Sequence, residues 1–127
     1  MALNLIILKD AYSIYRLNIG DDIPAWIIDS DFYSVTKTQD ELSIVCKHSD
    51  SIIEDYKINT DWRIIKIQGP LDFSLVGIIA DILGFLKNIK VSIFTISTYD
   101  TDYILVKSPD LGATVNSLKN NNYTVTF

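Results

Sequence analysis

The hydrophobic positions change period along the chain, and the changes mark out its elements. From Trp62 to Gln68 the residues are β-branched or apolar at close spacing and read as a strand. Gly69-Pro70 ends it. Leu75, Ile78, Ile79, Ile82, Leu83 and Leu86 then follow at helical spacing and form one apolar stripe, which Asn88 stops. Asp72 or Ser74 supplies the cap, because a short side-chain oxygen accepts from the free N–H groups of a first turn. Two β-rich segments come next, Val91–Thr98 and Tyr103–Val106, around a polar turn at Thr98-Tyr99-Asp100-Thr101. Ser108-Pro109 opens a second helix, with Ser as cap and Pro at the first helical position. Leu111, Val115 and Leu118 give it a stripe, and Asn120-Asn121-Asn122 closes it. Tyr123, Val125 and Phe127 alternate as a last strand. The order is strand, helix, strand, strand, helix, strand. That predicts an α+β fold of the ferredoxin-like βαββαβ type, four antiparallel strands with both helices on one face.

The first half has a different rhythm. Leu3–Leu8, Tyr12–Leu17, Phe32–Lys37 and Leu42–Lys47 read as strands, with a turn at Asp10-Ala11. Asp22-Ile23-Pro24 starts a short helical turn through Trp26 and Ile27. Thr38-Gln39-Asp40-Glu41 matches a capping box and predicts one helical turn between two strands. Residues 48–57 are polar and carry at most a short helix around Ile52 and Ile53. No long amphipathic helix is predicted here. Asn59-Thr60-Asp61 is the one candidate joint, so the expected division is an abbreviated unit at 1–60 and a complete one at 61–127.

Composition narrows the function. The chain has 127 residues, 48% of them hydrophobic, enough for one compact domain or two very small ones. Net charge is −5 and Lys and Arg do not cluster, which argues against nucleic acid. Each apolar stretch is interrupted before it reaches bilayer length, and the first residues lack the basic region of a secretory signal. One cysteine, Cys46, leaves no internal disulfide, and a cytoplasmic protein is expected.

Chemistry-bearing positions are few. Gly69, Pro70, Leu71, Asp72, Phe73 and Ser74 link a strand end to a helix start. Exposed N–H groups and the positive end of the helix dipole suit a carboxylate there, and Asp72 suits an ammonium. A free amino acid carries both charges. The same residues also serve as an ordinary strand-to-helix turn with Asp72 as its cap. Gly77 and Gly84 share a helix face and fit either close backbone approach or plain helix-on-sheet packing. Cys46 and His48 stand two apart on one strand, the spacing of a Cys–His pair, but no third orienting group is evident. Asp100-Thr101-Asp102 lacks a further carboxylate at a metal-binding spacing. There is no phosphate-binding loop, no dinucleotide fingerprint and no zinc spacing, so no cofactor is expected.

Three segments together resemble the ACT domain, a small regulatory fold that binds amino acids. They are Phe32–Val45, Gly69–Gly77, and the hairpin from Val91 through Val106. The likeness is nearest to bacterial tandem-ACT proteins and the animal cytosolic arginine sensors. It implies two ACT-like units, no catalytic residues, and a ligand at an interface between units. It also implies ligand contacts at Ser92 and Ile93 beside Gly69–Ser74. In the animal sensors the region matching Tyr99, Asp100 and Asp102 meets a protein partner; a solvated turn is the simpler reading of those residues. The animal sensors hold two tandem pairs and this chain holds one, so a site between pairs forms here only by self-association, as a homodimer. Three functions compete: an amino-acid sensor, a dimerising interaction module, and a small enzyme using Cys46 and His48.

Overall fold

The computed structural model describes residues 4–50, 56–68 and 77–127. It contains eight strands and two α-helices among those residues. The strands are β1 (Asn4–Ile7), β2 (Tyr12–Leu17), β3 (Ser34–Lys37), β4 (Leu42–Lys47), β5 (Lys57–Ile67), β6 (Ile93–Ser97), β7 (Asp102–Lys107) and β8 (Thr124–Thr126). The helices are α1 (Gly77–Asn88) and α2 (Leu111–Asn120). The chain folds as two units. One is Asp10–Asp61; the other joins Met1–Lys9 to Trp62–Phe127.

The second unit has α+β, ferredoxin-like character, with one addition. β6 pairs antiparallel with β7, β7 with β5, and β5 with β1, while β8 lies parallel beside β1. The expected four-strand sheet would have put β8 next to β5. Instead the N-terminal strand is inserted between them, with Leu5 opposite Ile67 on one side and Val125 on the other. The first nine residues therefore belong with the C-terminal unit, not with the expected 1–60 unit. The reason is packing: Leu5 and Ile7 are buried in the same cluster as Ile65, Ile67, Ile82, Leu86, Ile104, Val106 and Leu118. The change of unit comes between Asp61 and Trp62. Asp61 there takes a left-handed φ of 67°, which Asp tolerates better than a β-branched residue.

Both helices lie on this core as the stripes predict. Ile82 and Leu86 are fully buried, and Ile78 and Ile79 pack alongside. The start expected near Phe73 lies outside the described residues. Each helix ends the same way. Lys90 (φ 61°) donates its N–H to Lys87 and Val91 donates to Leu86; Asn122 (φ 71°) donates to Lys119 and Tyr123 to Leu118. These paired bonds satisfy carbonyls that a helix end leaves open, and the residue after each left-handed position leads into the next strand. The second helix departs from expectation at its start. Ser108-Pro109-Asp110 forms a 3₁₀ turn, and no side chain caps either that turn or α2.

Neither helix glycine is crowded. Among the described residues an added Cβ would meet nothing within 4 Å at Gly77 or Gly84, so no close backbone approach by those residues explains them. Gly84→Ala should therefore stabilise the protein by about 0.5–1 kcal/mol, read as a higher urea midpoint. No gain would mean that something outside the chain occupies that face.

The inserted unit is built on β3–β4–β2, all antiparallel. Its core row is Tyr15, Leu17, Leu42, Ile44 and Cys46, closed by Ile27, Trp26 and Tyr56. Tyr15, Trp26 and Tyr56 form an aromatic group with ring centroids 5.5–6.5 Å apart. The turn at Trp26 is a 3₁₀ segment over Ala25–Asp29. At Thr38–Glu41 only half of the capping box forms. Thr38 Oγ1 accepts from the N–H of Asp40 and Glu41, both at 3.1 Å, but the return bond is Thr38 N–H to the Glu41 carbonyl. That makes a hairpin turn between β3 and β4, not a helical turn. The short helix expected around Ile52 and Ile53 lies outside the described residues. No described helix is long and apolar enough to cross a membrane.

Candidate functional site

The end of β5 is held from two directions. On one side Gln68 donates its N–H to the Asn4 carbonyl at 3.0 Å, and the Asn4 side-chain amide donates to Gln68 Oε1 at 2.6 Å. Thr126 Oγ1 reaches Asn4 Oδ1 at 3.4 Å from β8. On the other side Thr101 Oγ1 donates to the Ile67 carbonyl. Gly69 follows directly. The predicted ligand residues Gly69, Pro70, Leu71, Asp72, Phe73 and Ser74 lie outside the described residues, so the structure tests only their surroundings.

Ser92 and Ile93 are described. Ser92 is exposed ahead of β6, just after the left-handed Lys90. Ile93 opens β6 opposite Val106, and its side chain packs against the core.

The hairpin tip is well defined. Ser97 pairs with Asp102 across the strands, and its hydroxyl donates to the Asp102 carboxylate. Thr98 N–H donates to the Thr101 carbonyl at 2.8 Å; Thr98 Oγ1 also donates to that carbonyl, and the Thr101 N–H donates back to Thr98 Oγ1 at 3.3 Å. Tyr99 and Asp100 project from this closed turn, and the Tyr99 side chain is fully exposed. Thr101, in the same turn, is buried. Its hydroxyl was not singled out by the sequence. A threonine beside a turn gives no sign of which carbonyl it will reach. Asn4 and Gln68 were missed for the same reason, because their partners are 64 residues apart.

Cys46 and His48 do not form a pair. The Cys46 side chain is buried in the inserted unit's core, and burial pushes its thiol up to about 11, so it holds its proton. His48 bonds elsewhere. Its Nδ1 meets Ser13 Oγ at 2.8 Å and its Nε2 meets Asp50 Oδ1 at 2.9 Å. A Ser–His–Asp row suggests hydrolysis, but Ser13 is fully buried and cannot meet a substrate, while the Asp50 side chain is 98% exposed and poorly placed to hold an imidazolium. Burial also raises the Tyr15 phenol in the same row, with a smaller push from Cys46. The row works as a polar seam at the edge of an apolar core. An open cleft of about 520 Å³ in the same unit is lined, among the described residues, by Ile19, Lys37, Thr38 and Gln39. Among the described residues no three His, Cys, Asp or Glu side chains are placed to hold a metal ion.

Comparison with known proteins bears on these features. Residues 57–120 match the ACT domain family model, and residues 10–55 match the model of an N-terminal domain family. A 59-residue stretch is 37% identical to subunit 1 of the cytosolic arginine sensor for mTORC1 of mouse and of human. That stretch is 46% of this chain and only 18% of the sensor's length. A solved protein of Agrobacterium tumefaciens is 38% identical, covers the whole chain and 95% of its own, and superposes with a TM-score of 0.90. The ligand-free regulatory subunit of aspartate kinase from Thermus thermophilus superposes with a TM-score of 0.63 at 12% identity, over 90% of this chain and 95% of its own, and so shows likeness of fold alone. With half of its length matched by the family model, carried on strands and helices in the expected order, the chain belongs to the ACT domain family.

Proposed function

We propose that this chain is a non-catalytic regulatory module that binds a free amino acid. The observation that carries the reading is its membership of the ACT family over the segment holding the Gly69–Ser74 link. Chemistry supports it. N–H groups at the helix start take the carboxylate, Asp72 takes the ammonium, and Ser92 and the backbone at Ile93 complete its hydrogen bonds. The likeness to an arginine sensor makes a basic amino acid the first ligand to try, and it favours a cytoplasmic site of action. The ligand lies between ACT units of two chains, and filling that site stabilises one arrangement of the pair. The exposed Tyr99 and Asp100, with Asp102, then form the surface that meets a protein partner.

Thermal shift against the twenty amino acids is the test. A ligand at a hundred times its Kd adds about 2.7 kcal/mol, a rise of many degrees in Tm. Asp72→Ala should then weaken binding by roughly tenfold to a hundredfold in isothermal titration, because charged hydrogen bonds contribute about 1.5–3 kcal/mol. Equal affinity would clear Asp72 of any role in the site.

A second reading is an interaction module that dimerises without ligand. Among the described residues β6 pairs with β7 alone, and such an edge is a ready template for another chain. Sedimentation as a dimer with no thermal response to any amino acid would favour it.

A further inference from the structure

We propose that His48 is a proton-operated switch in the inserted unit: taking up a proton turns the Ser13 hydroxyl away from the imidazole and onto the Tyr15 phenol, so that the aromatic group of that unit responds to pH. The switch is independent of the amino-acid reading, since every group in it belongs to Asp10–Asp61.

The direction of each bond in the row follows from the one at its exposed end. Asp50 Oδ1 lies 2.9 Å from His48 Nε2, and a carboxylate can only accept, so in the neutral ring Nε2 carries the hydrogen. Nδ1 is then an acceptor, and the Ser13 hydroxyl 2.8 Å away donates to it. Ser13 has one hydrogen to give and is fully buried, so water does not stand in for its partner. A second acceptor lies in the same shelter. Tyr15 Oη is buried and has no hydrogen-bond partner among the described residues. Ser13 is close enough to it to offset part of the rise that burial gives the phenol, and the Ser49 main chain acts in the same sense. Once His48 is protonated, Nδ1 becomes a donor to Ser13 Oγ, and the serine hydrogen must leave that line. Tyr15 Oη receives it. The neutral row holds one bond to Ser13 and the charged row two.

The surroundings suit a switch. Histidine is the side chain whose charge ordinarily changes between pH 5 and 8, and His48 is the only one in the chain. Its side chain is 35% exposed, so protons reach it from solvent while Ser13 stays dry. Its main chain is fixed, with the N–H donated to the Ala11 carbonyl at 2.9 Å. The titratable groups facing the row among the described residues are Asp50, the Tyr15 phenol on β2 and the Cys46 thiol on β4, with Tyr56 behind Tyr15 at 6.4 Å. Burial raises both the thiol and the Tyr15 phenol, so neither changes charge in this range. Lys47 points to the other face of β4 and pairs with Asp10 at 3.7 Å. Asp50 is so exposed that water screens it; it sets the tautomer and adds little to the charge balance. The Tyr15 ring carries the change inward, to Trp26 at 5.5 Å.

Nuclear magnetic resonance of the full chain between pH 8 and pH 5.5 tests this. Trp26 stands against Tyr15 and Trp62 belongs to the other unit, so their indole N–H signals serve as reporter and control. As the His48 ring signals titrate, the Trp26 indole should shift along the same curve and the Trp62 indole should stay. Tyr15→Phe keeps the ring and removes the acceptor; there His48 should still titrate and Trp26 should no longer follow. Ser13→Ala should behave alike. Urea unfolding gives the size of the effect. The added bond exists only in the charged row, so its stability is present at pH 5.5 and lost by pH 8. Relative to Tyr15→Phe, the folding equilibrium constant of the parent should therefore rise about twofold to tenfold on acidification, the range one neutral hydrogen bond supports. A histidine that only braces its loop would leave that ratio unchanged. A Trp26 signal that stays still while His48 titrates in the parent overturns the switch, and so does one that still follows His48 in Tyr15→Phe. A His48 ring that does not titrate in this range overturns it as well, and the parent alone supplies that result.

Discussion

Ile82→Asp should destabilise the protein by about 4 kcal/mol or more, enough to leave much of it unfolded at physiological temperature. Ile82 is fully buried in the centre of the α1 stripe, in one cluster with Ile65, Ile104 and Leu118. A carboxylate there has no cation within the cluster and cannot reach water. It must stay protonated or drag the helix off the sheet. The contrast is Ala80→Asp, two residues earlier on the exposed face of the same helix. That change should cost less than about 1 kcal/mol, which is the helix-propensity difference alone. Urea unfolding of both variants decides it. Similar midpoints would mean that α1 does not lie on the sheet by this face.

Alkaline pH should expose the second large effect. The Cys46 thiol, ordinarily at 9.0, is pushed up to about 11 by burial. Between those values the unfolded chain ionises its thiol and the folded chain does not. The contribution is therefore intact below pH 9 and is lost as pH rises toward 11. Two pKa units correspond to about 2–3 kcal/mol. The raised Tyr15 and Tyr123 phenols act in the same direction at higher pH. The measurement is unfolding free energy at several pH values under reducing conditions, for the parent and for Cys46→Ala. The variant should start lower because of its small cavity, yet lose about 2–3 kcal/mol less across the window. Parallel curves would mean that water reaches the thiol, and would reopen Cys46 as a reactive group.

Hydrophobic period was enough for the elements of the second unit. The stripe from Ile78 to Leu86, the hairpin around Tyr99 and the Tyr123–Phe127 alternation all correspond to observed elements, because each is a local pattern repeated within one segment. Local chemistry was less reliable where a side chain had a choice of partner. Thr38 took two N–H groups as a capping box would, but Glu41 answered with its carbonyl and closed a hairpin. Ser108 offered a cap that α2 does not use. Cys46 lies on β4 and His48 just beyond its end, and one points its thiol into the core while the other bonds Ser13 and Asp50. The ligand link expected at Gly69–Ser74 lies outside the described residues, and the bonds from Asn4 and Thr101 that hold the end of β5 just before it were not legible.

By itself the sequence determined the succession of strands and helices, the apolar faces they bury, and the likeness that placed the chain among ACT domains. These depend on residue spacing and on short motifs, both of which are local. Tertiary structure alone decided that Asn4–Ile7 enters the C-terminal sheet between β5 and β8, that Asn4 and Thr101 hold the end of β5, and that Ser13 meets His48. Each of these joins residues 34 or more positions apart. Such contacts are chosen by which surfaces fit once the core closes, and a polar side chain that bonds a distant carbonyl leaves no period in the sequence to announce it.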